Sequence, residues 1–275
     1  MVDGLERYLC GAIVIARDEE NRIEACLESL RNQSVTMFIV VVNDGSIDGT
    51  KRIASQYADL IVDLPRHDAN WTGRPELAKV FNTGFEVLRE QKCDYIMISG
   101  ADATYSVNYI EKMIQRMKAE NVVLASGIAQ GESVRASSPR GCGRMIQEEW
   151  FRNVGFIYPE NYGFEAYLIF KALSQGERVK IFQDLTFRLS RKTRFSNKKM
   201  HSWGKGMKAL NYWWPYAVGR AALIGLKHPL GGFNMLKGYS SNISFYDDVK
   251  EFVPSFQKKI ISRRINKVLS RGEHY

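Results

Sequence analysis

The first hundred residues alternate short apolar runs with stretches of helical periodicity, and this alternation limits the fold more than any other feature. Runs rich in β-branched residues occupy residues 11–16, 37–42, 60–64 and 95–99. Strands separated by helices of this length form βαβ units, in which the strands are parallel and helices cover both faces. We therefore expect an α/β fold whose connecting helices are residues 17–33, 49–57 and 75–90.

The middle of the chain is less regular. Residues 122–126 predict a further strand, and residues 148–157 and 164–174 predict helices. Residues 179–182 predict an edge strand. Residues 127–143 are rich in Gly and Ser and predict a loop. The expected architecture is a mostly parallel sheet flanked by helices.

Polar clusters follow three of the predicted strands, at residues 17–20, 43–48 and 100–104. The carboxyl ends of parallel strands share one edge of a sheet, and ligands of such sheets bind beyond that edge. The sequence therefore predicts a ligand site built from these three clusters.

Charge is divided unevenly along the chain. Residues 1–187 contain 21 Lys and Arg against 26 Asp and Glu, whereas residues 188–275 contain 18 against 4. A basic tail indicates an anionic partner, either nucleic acid or an anionic membrane surface, and a solvated charged surface is the alternative. The four cysteines are widely spaced and favour a reduced protein over a disulfide framework or a zinc site.

The tail contains two unusual segments. Residues 209–226 are apolar but are interrupted by Asn211, Pro215 and Arg220, and they fall short of the roughly 20 apolar residues that a spanning helix needs. Their aromatic residues indicate a segment lying at the level of lipid headgroups. Residues 256–271 have the pattern of a basic amphipathic helix, which lies on a membrane or packs on the protein core.

Three motifs follow the predicted strand ends: ARDEE at residues 16–20, NDGSIDGT at residues 43–50 and GAD at residues 100–102. Their order and spacing resemble the inverting family 2 glycosyltransferases, and the NDGS-x-DGT stretch is the most specific part. The resemblance covers about residues 11–180, and residues 203–239 are more loosely similar to members that act on membrane-linked saccharides. It implies a GT-A (Rossmann-like) fold with, here, a basic helical C-terminal extension.

The resemblance implies how a nucleotide-sugar donor binds. Asp44 would accept a hydrogen bond from the nucleobase, while Ala16 and Glu19 would line the base-and-ribose pocket. A turn-forming role in the Asp-Gly pair is the alternative for Asp44. The other residues expected to contact the donor are Arg17, Ser46, Ala101 and Asp102, together with Arg74 and Lys79 as partners of phosphate or of Asp102.

Asp102 matches the last aspartate of the family's DxD signature, which holds a divalent metal on the donor diphosphate. Oxygen ligands suit Mg²⁺ or Mn²⁺, and such an ion neutralises charge on the departing diphosphate. Gly100 replaces the first aspartate of the signature and leaves one carboxylate for the metal. A helix N-cap or turn role is the alternative for Asp102.

The family's catalytic base precedes a Leu, a basic residue and a Gly at fixed spacing, and this chain reproduces the pattern with Glu165, Leu168, Lys171 and Gly176. The resemblance implies that Glu165 takes the proton of the acceptor hydroxyl. The family usually has aspartate here, so the carboxylate is shifted by one methylene. A surface glutamate on a helix is the alternative.

Further basic residues are candidates for the diphosphate. Arg191 and Arg194 would cover the diphosphate or face a lipid phosphate. Solvated surface charge is the alternative for each of them, as it is for Arg74 and Lys79. His67 and His201 have no ligand partner in the sequence and are weak candidates for catalysis or metal binding.

The resemblance and the basic tail together predict an inverting glycosyltransferase that moves a sugar from a UDP-, GDP- or dTDP-sugar to a lipid-linked saccharide or polyprenyl phosphate. We expect residues 1–125 to bind the donor, residues 126–200 the acceptor and residues 201–275 an anionic membrane surface. The expected location is the cytoplasm, peripherally on the inner face of the cell membrane, without a nucleic-acid partner. An inactive platform that binds sugar nucleotides is the alternative, and nucleic-acid binding by the tail has no support in residues 1–187.

Overall fold

The structure is a computed structural model that describes residues 8–69, 71–132, 138–191 and 196–272. The chain forms two compact units. Unit 1 comprises Met1–Asn70, Ala78–Tyr158 and Gly176–Thr193, and unit 2 comprises Trp71–Leu77, Pro159–Gln175 and Arg194–Tyr275.

Eight strands lie in unit 1: β1 (Tyr8–Ala16), β2 (Met37–Asp44), β3 (Leu60–Leu64), β4 (Cys93–Gly100), β5 (Ala103–Thr104), β6 (Val122–Ala129), β7 (Arg144–Gln147) and β8 (Arg178–Leu189). The helices along the chain are α1 (Ile23–Arg31), α2 (Thr50–Ala54), α3 (Pro75–Arg89), α4 (Tyr109–Glu120), α5 (Glu148–Asn153), α6 (Phe164–Ser174), α7 (Asn197–Ala209), α8 (Trp214–Gly225), α9 (Pro229–Tyr239) and α10 (Phe252–Gly272).

The strands form one sheet in the order β3-β2-β1-β4-β7-β6-β8-β5. The first four strands of that order are parallel neighbours. β7 runs antiparallel to both β4 and β6, whereas β6 and β8 are parallel and β5 is antiparallel to β8. The predicted α/β class with a mostly parallel sheet is confirmed, and the short antiparallel β7 joins its two halves.

The core of unit 1 follows from the apolar runs. The central strands are buried along nearly their whole length, as expected for a sheet covered on both faces. In α1 the stripe of Ile23, Leu27 and Leu30 is fully buried, which confirms the periodicity seen in the sequence.

Two element predictions need correction. The first helix begins at Ile23 rather than at residue 17, because Asp18 has a φ of +53° and residues 17–22 form a loop at the sheet edge. The expected edge strand at residues 179–182 is the 12-residue β8, which lies between β6 and β5. The sequence predicts a strand shorter than β8, because exposed polar residues of β8 interrupt the apolar run that marks a buried strand.

Unit 2 is helical in the residues that the structure describes. One of its hydrophobic clusters joins α6, α7 and α10 through Phe170, Ala209 and Val253. The first turns of α10 thus pack on the unit, as the core-packing alternative predicted for this helix, whereas the side chains of Ile265, Val268 and Leu269 lie outside the description. Within the described residues, every helix is too short or too polar to cross a bilayer.

Candidate functional site

The carboxyl ends of β1, β2 and β4 meet at one edge of the sheet in unit 1. Ala16 pairs with Asn43 of β2, and Ile15 pairs with Gly100 of β4. The three motifs therefore leave the sheet at the same level, which is where the sequence predicted a ligand site.

Hydrogen bonds join the loop after β1 to the loop after β2. Asp18 Oδ1 accepts from the Ile47 N–H at 3.0 Å, and Ser46 Oγ accepts from the Asp18 N–H at 3.0 Å. Thr50 Oγ1 accepts from the Glu19 N–H at 2.7 Å. The Ile47 N–H lowers the pKa of Asp18, so the carboxylate that ties the loops together is ionised at neutral pH.

Asp44 is 5% exposed and lies beside His67 and Arg17. Nε2 of His67 is 3.1 Å from both carboxylate oxygens of Asp44, and Nη1 of Arg17 is 3.8 Å from Oδ2. Nη1 of Arg17 also lies 2.7 Å from the ring nitrogens of His67. Since an arginine only donates and a carboxylate only accepts, a neutral imidazole satisfies both by accepting at Nδ1 and donating at Nε2. His67 therefore bridges Arg17 and Asp44.

A second cluster joins Asp102 to Glu19 through Arg191. Nε of Arg191 donates to Asp102 Oδ2 at 3.0 Å, and Nη2 lies 2.5 Å from Glu19 Oε1. Arg22 pairs with the other oxygen of Glu19 at 3.2 Å. Desolvation lowers the pKa of Arg191, but the ion pairs with Asp102 and Glu19 outweigh it and raise the pKa above its ordinary value. The guanidinium is half-exposed, so part of it faces solvent at this edge.

The side chains at this edge fit a divalent ion that would be held mainly by the phosphates of a bound substrate. A Cβ at Gly100 would lie 2.9 Å from Asp102 Oδ1, so a larger residue at this position would crowd that carboxylate. No cluster of three or more His, Cys, Asp or Glu side chains suited to a metal occurs in the described residues. Mg²⁺ is commonly held by one or two carboxylates together with substrate phosphates, and Asp102 alone can supply the protein's share.

Two predicted site residues are buried in the core of unit 1. Ala16 is 1% exposed and Ala101 is 2% exposed, and both belong to its main hydrophobic cluster. Both alanines are therefore core residues at the strand ends that carry the polar side chains of the site.

The remaining predicted site residues belong to unit 2 or to α3. Glu165 occupies the first turn of α6 in unit 2, and Lys171 of the same helix pairs with Asp248 at 2.7 Å. Arg74, also in unit 2, pairs with Glu76 at 2.7 Å. Lys79 is exposed on α3. Arg194 lies outside the described residues.

Sequence reasoning missed Arg66 and underrated His67. Nη1 of Arg66 donates to Asp18 Oδ2 at 2.6 Å and to the Gly45 carbonyl at 2.9 Å. Both residues follow β3, which is parallel to β2 and ends at the same edge. The polar run after this third strand was the signal that would have found them.

Comparison with known proteins identifies a family whose model matches more than half of the chain. The model of "Glycosyl transferase family 2" matches residues 12–173. A curated relative, the 4,4'-diaponeurosporenoate glycosyltransferase of Staphylococcus aureus, is 41% identical over 63 residues, which are 22% of this chain and 17% of the relative. The match therefore spans about a sixth of that relative's length.

Solved structures share the fold at low sequence identity. The mannosyltransferase PcManGT from Pyrobaculum calidifontis, in complex with GDP-Man and Mn²⁺, has a TM-score of 0.58 and 18% identity, over 74% of this chain and 62% of that one. S. aureus TarS 1–349, in complex with UDP-GlcNAc, has a TM-score of 0.55 and 15% identity, over 72% and 65% of the two chains. Glucosyl-3-phosphoglycerate synthase from Mycobacterium tuberculosis, in complex with Mn²⁺, UDP and glucosyl-3-phosphoglycerate, has a TM-score of 0.54 and 12% identity, over 73% and 78%.

Proposed function

Because the chain belongs to glycosyl transferase family 2, we propose that it transfers a sugar from a nucleoside-diphosphate donor to an acceptor hydroxyl, with inversion. The observation that carries this proposal is the sheet edge of unit 1, where Glu19, Asp44 and Asp102 lie among arginines. Carboxylates suit the polar N–H groups of a nucleoside and a metal ion, whereas arginines suit a diphosphate.

The nucleoside end of the donor is assigned to the Asp44 cluster. The Asp44 carboxylate accepts a hydrogen bond from a base N–H, while His67 and Arg17 hold that carboxylate in place. Ser46 and Glu19 complete this side of the pocket above the floor formed by Ala16 and Ala101. Two of the structural neighbours are complexes with UDP-GlcNAc and with GDP-Man, which supports a nucleoside diphosphate sugar as the class of donor.

The diphosphate end is assigned to Asp102 and Arg191. Asp102 would hold Mg²⁺ or Mn²⁺ against the donor phosphates, and the Mn²⁺ named for two structural neighbours supports this choice. When bound, the ion neutralises charge on the departing nucleoside diphosphate. The half-exposed guanidinium of Arg191 binds a phosphate oxygen, and Arg74, Lys79 and Arg194 are further candidates for phosphate contacts.

The chemical step is assigned to Glu165 on the strength of the family pattern. Its carboxylate takes the proton of the acceptor hydroxyl, and that oxygen forms a bond to the anomeric carbon. The bond between the anomeric carbon and the diphosphate oxygen breaks, and both electrons leave with the nucleoside diphosphate. Attack on the face opposite the leaving group inverts the anomeric configuration.

The acceptor is proposed to be membrane-held, as a lipid-linked saccharide or a polyprenyl phosphate. The support is the charge of the chain, since residues 188–275 carry 18 Lys and Arg against 4 Asp and Glu. Under this proposal residues 1–125 bind the donor, residues 126–200 bind the acceptor, and residues 201–275 associate with the inner face of the cell membrane.

Calorimetric titration with UDP, GDP, dTDP and CDP, each with and without Mn²⁺, tests the donor site. We expect one nucleotide to bind, more tightly with the ion, and Asp44→Asn to weaken it. Asp247→Asn, at a side chain that is 88% exposed in unit 2, is the matched control and leaves binding unchanged. Failure of all four nucleotides to bind would overturn the proposal.

An inactive platform that binds sugar nucleotides is the competing function, and Gly100 in the DxD position favours it. Turnover separates the two. A transferase given the matching nucleotide sugar and a lipid-linked acceptor releases nucleoside diphosphate and a product of inverted anomeric configuration, read by proton NMR. A platform binds the same nucleotide and yields neither product.

A further inference from the structure

The helix pair α8 and α9 in unit 2 has small residues on its inner side. Ala217 and Ala221 of α8 are buried, as are Gly231 and Gly232 of α9. The two helices approach so closely that a Cβ at Gly232 would lie 2.6 Å from the Ala221 carbonyl oxygen. Small residues allow this close approach, so large side chains are displaced from the contact between the helices.

The large apolar side chains of this pair point outward. The most exposed is Leu226, at 82%. The others are Leu223 at 70%, Trp214, Leu230 and Phe233 at 66% each, and Val218 at 42%. In the part of the chain that the structure describes, six of eleven exposed large apolar residues fall within these two helices and their connection. We call these six residues the α8–α9 face. A soluble helix pair normally turns such residues inward, and the concentration of exposed apolar side chains in one helix pair indicates an interaction surface.

The stretch of sequence that contains this face carries charge of a single sign. Between Asp184 and Asp247 the sequence contains eleven Lys and Arg and no Asp or Glu. Three of those cations are exposed in the same helix pair or its connection, namely Arg220, Lys227 and Lys237. An apolar surface whose own helices carry only cationic charges is complementary to an anionic bilayer, where apolar side chains reach the acyl boundary and lysines reach the lipid phosphates.

We propose that the α8–α9 face docks the protein on an anionic phospholipid bilayer, with its large apolar side chains inserted to the level of the headgroups. The inference deepens the membrane-held acceptor of the proposed function by naming the surface that reaches the lipid. It assigns docking to this face rather than to α10, whose first turns pack on unit 2 through Val253 and Phe256.

Sedimentation with phosphatidylcholine vesicles, with and without phosphatidylglycerol, tests the proposal on the full chain. We expect the wild type to sediment with the anionic vesicles and to be released by salt. Leu226→Asp and Phe233→Asp each lower the vesicle partition constant about tenfold or more, because an inserted apolar group is replaced by a charge. Both positions are exposed, so the variants keep the wild-type fold and melting temperature.

Val107→Asp is the matched control, since Val107 is 58% exposed in unit 1, and it binds vesicles as the wild type does. Wild-type vesicle binding by the Leu226→Asp and Phe233→Asp variants, or failure of the wild type to bind anionic vesicles, would overturn the proposal. A wild-type dimer in sedimentation velocity that Leu226→Asp converts to a monomer would instead make the face a contact between copies of this chain.

Nucleotide titration without lipid keeps this result separate from the proposed function. Leu226→Asp retains the nucleotide affinity of the wild type, because every group assigned to the donor nucleoside lies in unit 1. A protein that binds vesicles through this face and binds no nucleotide would keep the docking surface and lose the transferase.

Discussion

At the scale of single residues, His67 is the link between Arg17 and Asp44. Its ring nitrogens lie 2.7 Å from the Arg17 guanidinium, and Nε2 lies 3.1 Å from the Asp44 carboxylate, so a tautomer that accepts at Nδ1 and donates at Nε2 bonds to both. Without the ring, the side chain that remains beside the Asp44 carboxylate among the described residues is Arg17 at 3.8 Å, so the carboxylate is held less firmly against a bound base. His67 is thus assigned as a positioning residue that acts on the donor through Asp44.

We predict that His67→Ala weakens nucleotide binding about tenfold or more, which corresponds to the loss of one hydrogen bond to a charged group. Titration calorimetry with the nucleotide that the wild type binds gives the change directly. His67→Gln, whose amide still donates to Asp44, restores part of the affinity. The control His201→Ala lies in unit 2 and has no effect. Equal affinity of His67→Ala and the wild type would refute the positioning role.

The role proposed for Asp102 is different, namely to hold a divalent ion, and Arg191 would compete with that ion for one carboxylate oxygen. We predict that Asp102→Asn abolishes the increase in nucleotide affinity that Mn²⁺ causes in the wild type, since an amide is a poorer ligand for a hard cation. Arg191→Ala lowers affinity both with and without Mn²⁺ but keeps the increase. Paired titrations at fixed pH distinguish these patterns, and a Mn²⁺ effect that survives in Asp102→Asn would remove Asp102 from the metal site.

At the scale of elements, the sequence predicts those strands that are buried on both faces, because their consecutive residues are largely apolar. β1, β2 and β4 are buried on both faces, so their β-branched runs stand out locally. β7 was missed because its four residues include Arg144, which is 1% exposed and hydrogen-bonds to the Tyr158 hydroxyl at 3.1 Å. That partner lies 14 residues away, and no local pattern indicates a buried charge.

The same reasoning explains which parts of the candidate site were predicted. Asp44 and Asp102 belong to motifs that directly follow recognisable strands, so their shared edge follows from the parallel order alone. The bridge that Arg191 makes to Glu19 joins positions 172 residues apart, and the contact of His67 with Arg17 joins positions 50 apart. Such contacts depend on tertiary packing and leave no spacing in the sequence.

The close approach of α8 and α9 gives a prediction at this scale. We expect Gly232→Ala to destabilise the protein by about 1–3 kcal/mol, because its methyl group would overlap backbone atoms of α8 that cannot move independently. Gly219→Ala on α8 is the matched control, since no atom lies within 4 Å of a Cβ there. It stabilises by about 0.5–1 kcal/mol through the lower backbone entropy of Ala. Urea unfolding followed by circular dichroism measures both, and equal free energies of unfolding for the two variants would contradict the packing argument.

At the scale of the whole molecule, the two units divide the proposed work. The groups assigned to the donor nucleoside and to the metal lie in unit 1, whereas Glu165 and the α8–α9 face lie in unit 2. The charge follows a similar division, since unit 1 has 22 Lys and Arg against 23 Asp and Glu, whereas unit 2 has 17 against 7. Nucleotide affinity, turnover and vesicle binding should therefore respond to different substitutions.

The separation is sharpest at Glu165. We predict that Glu165→Gln lowers kcat by about 10²–10⁴-fold, the range that a general base contributes, and leaves nucleotide affinity at the wild-type value. Glu165→Asp restores part of kcat, because aspartate is the residue that the family usually has at this position. Glu251→Gln, an exposed glutamate of unit 2, is the matched control and changes neither quantity. Steady-state turnover with the identified donor, together with calorimetry on the same samples, measures both. If Glu165→Gln turns over as fast as the wild type, another group takes the proton. If it loses nucleotide affinity in proportion to kcat, Glu165 contributes to donor binding and the two units do not divide the work as proposed.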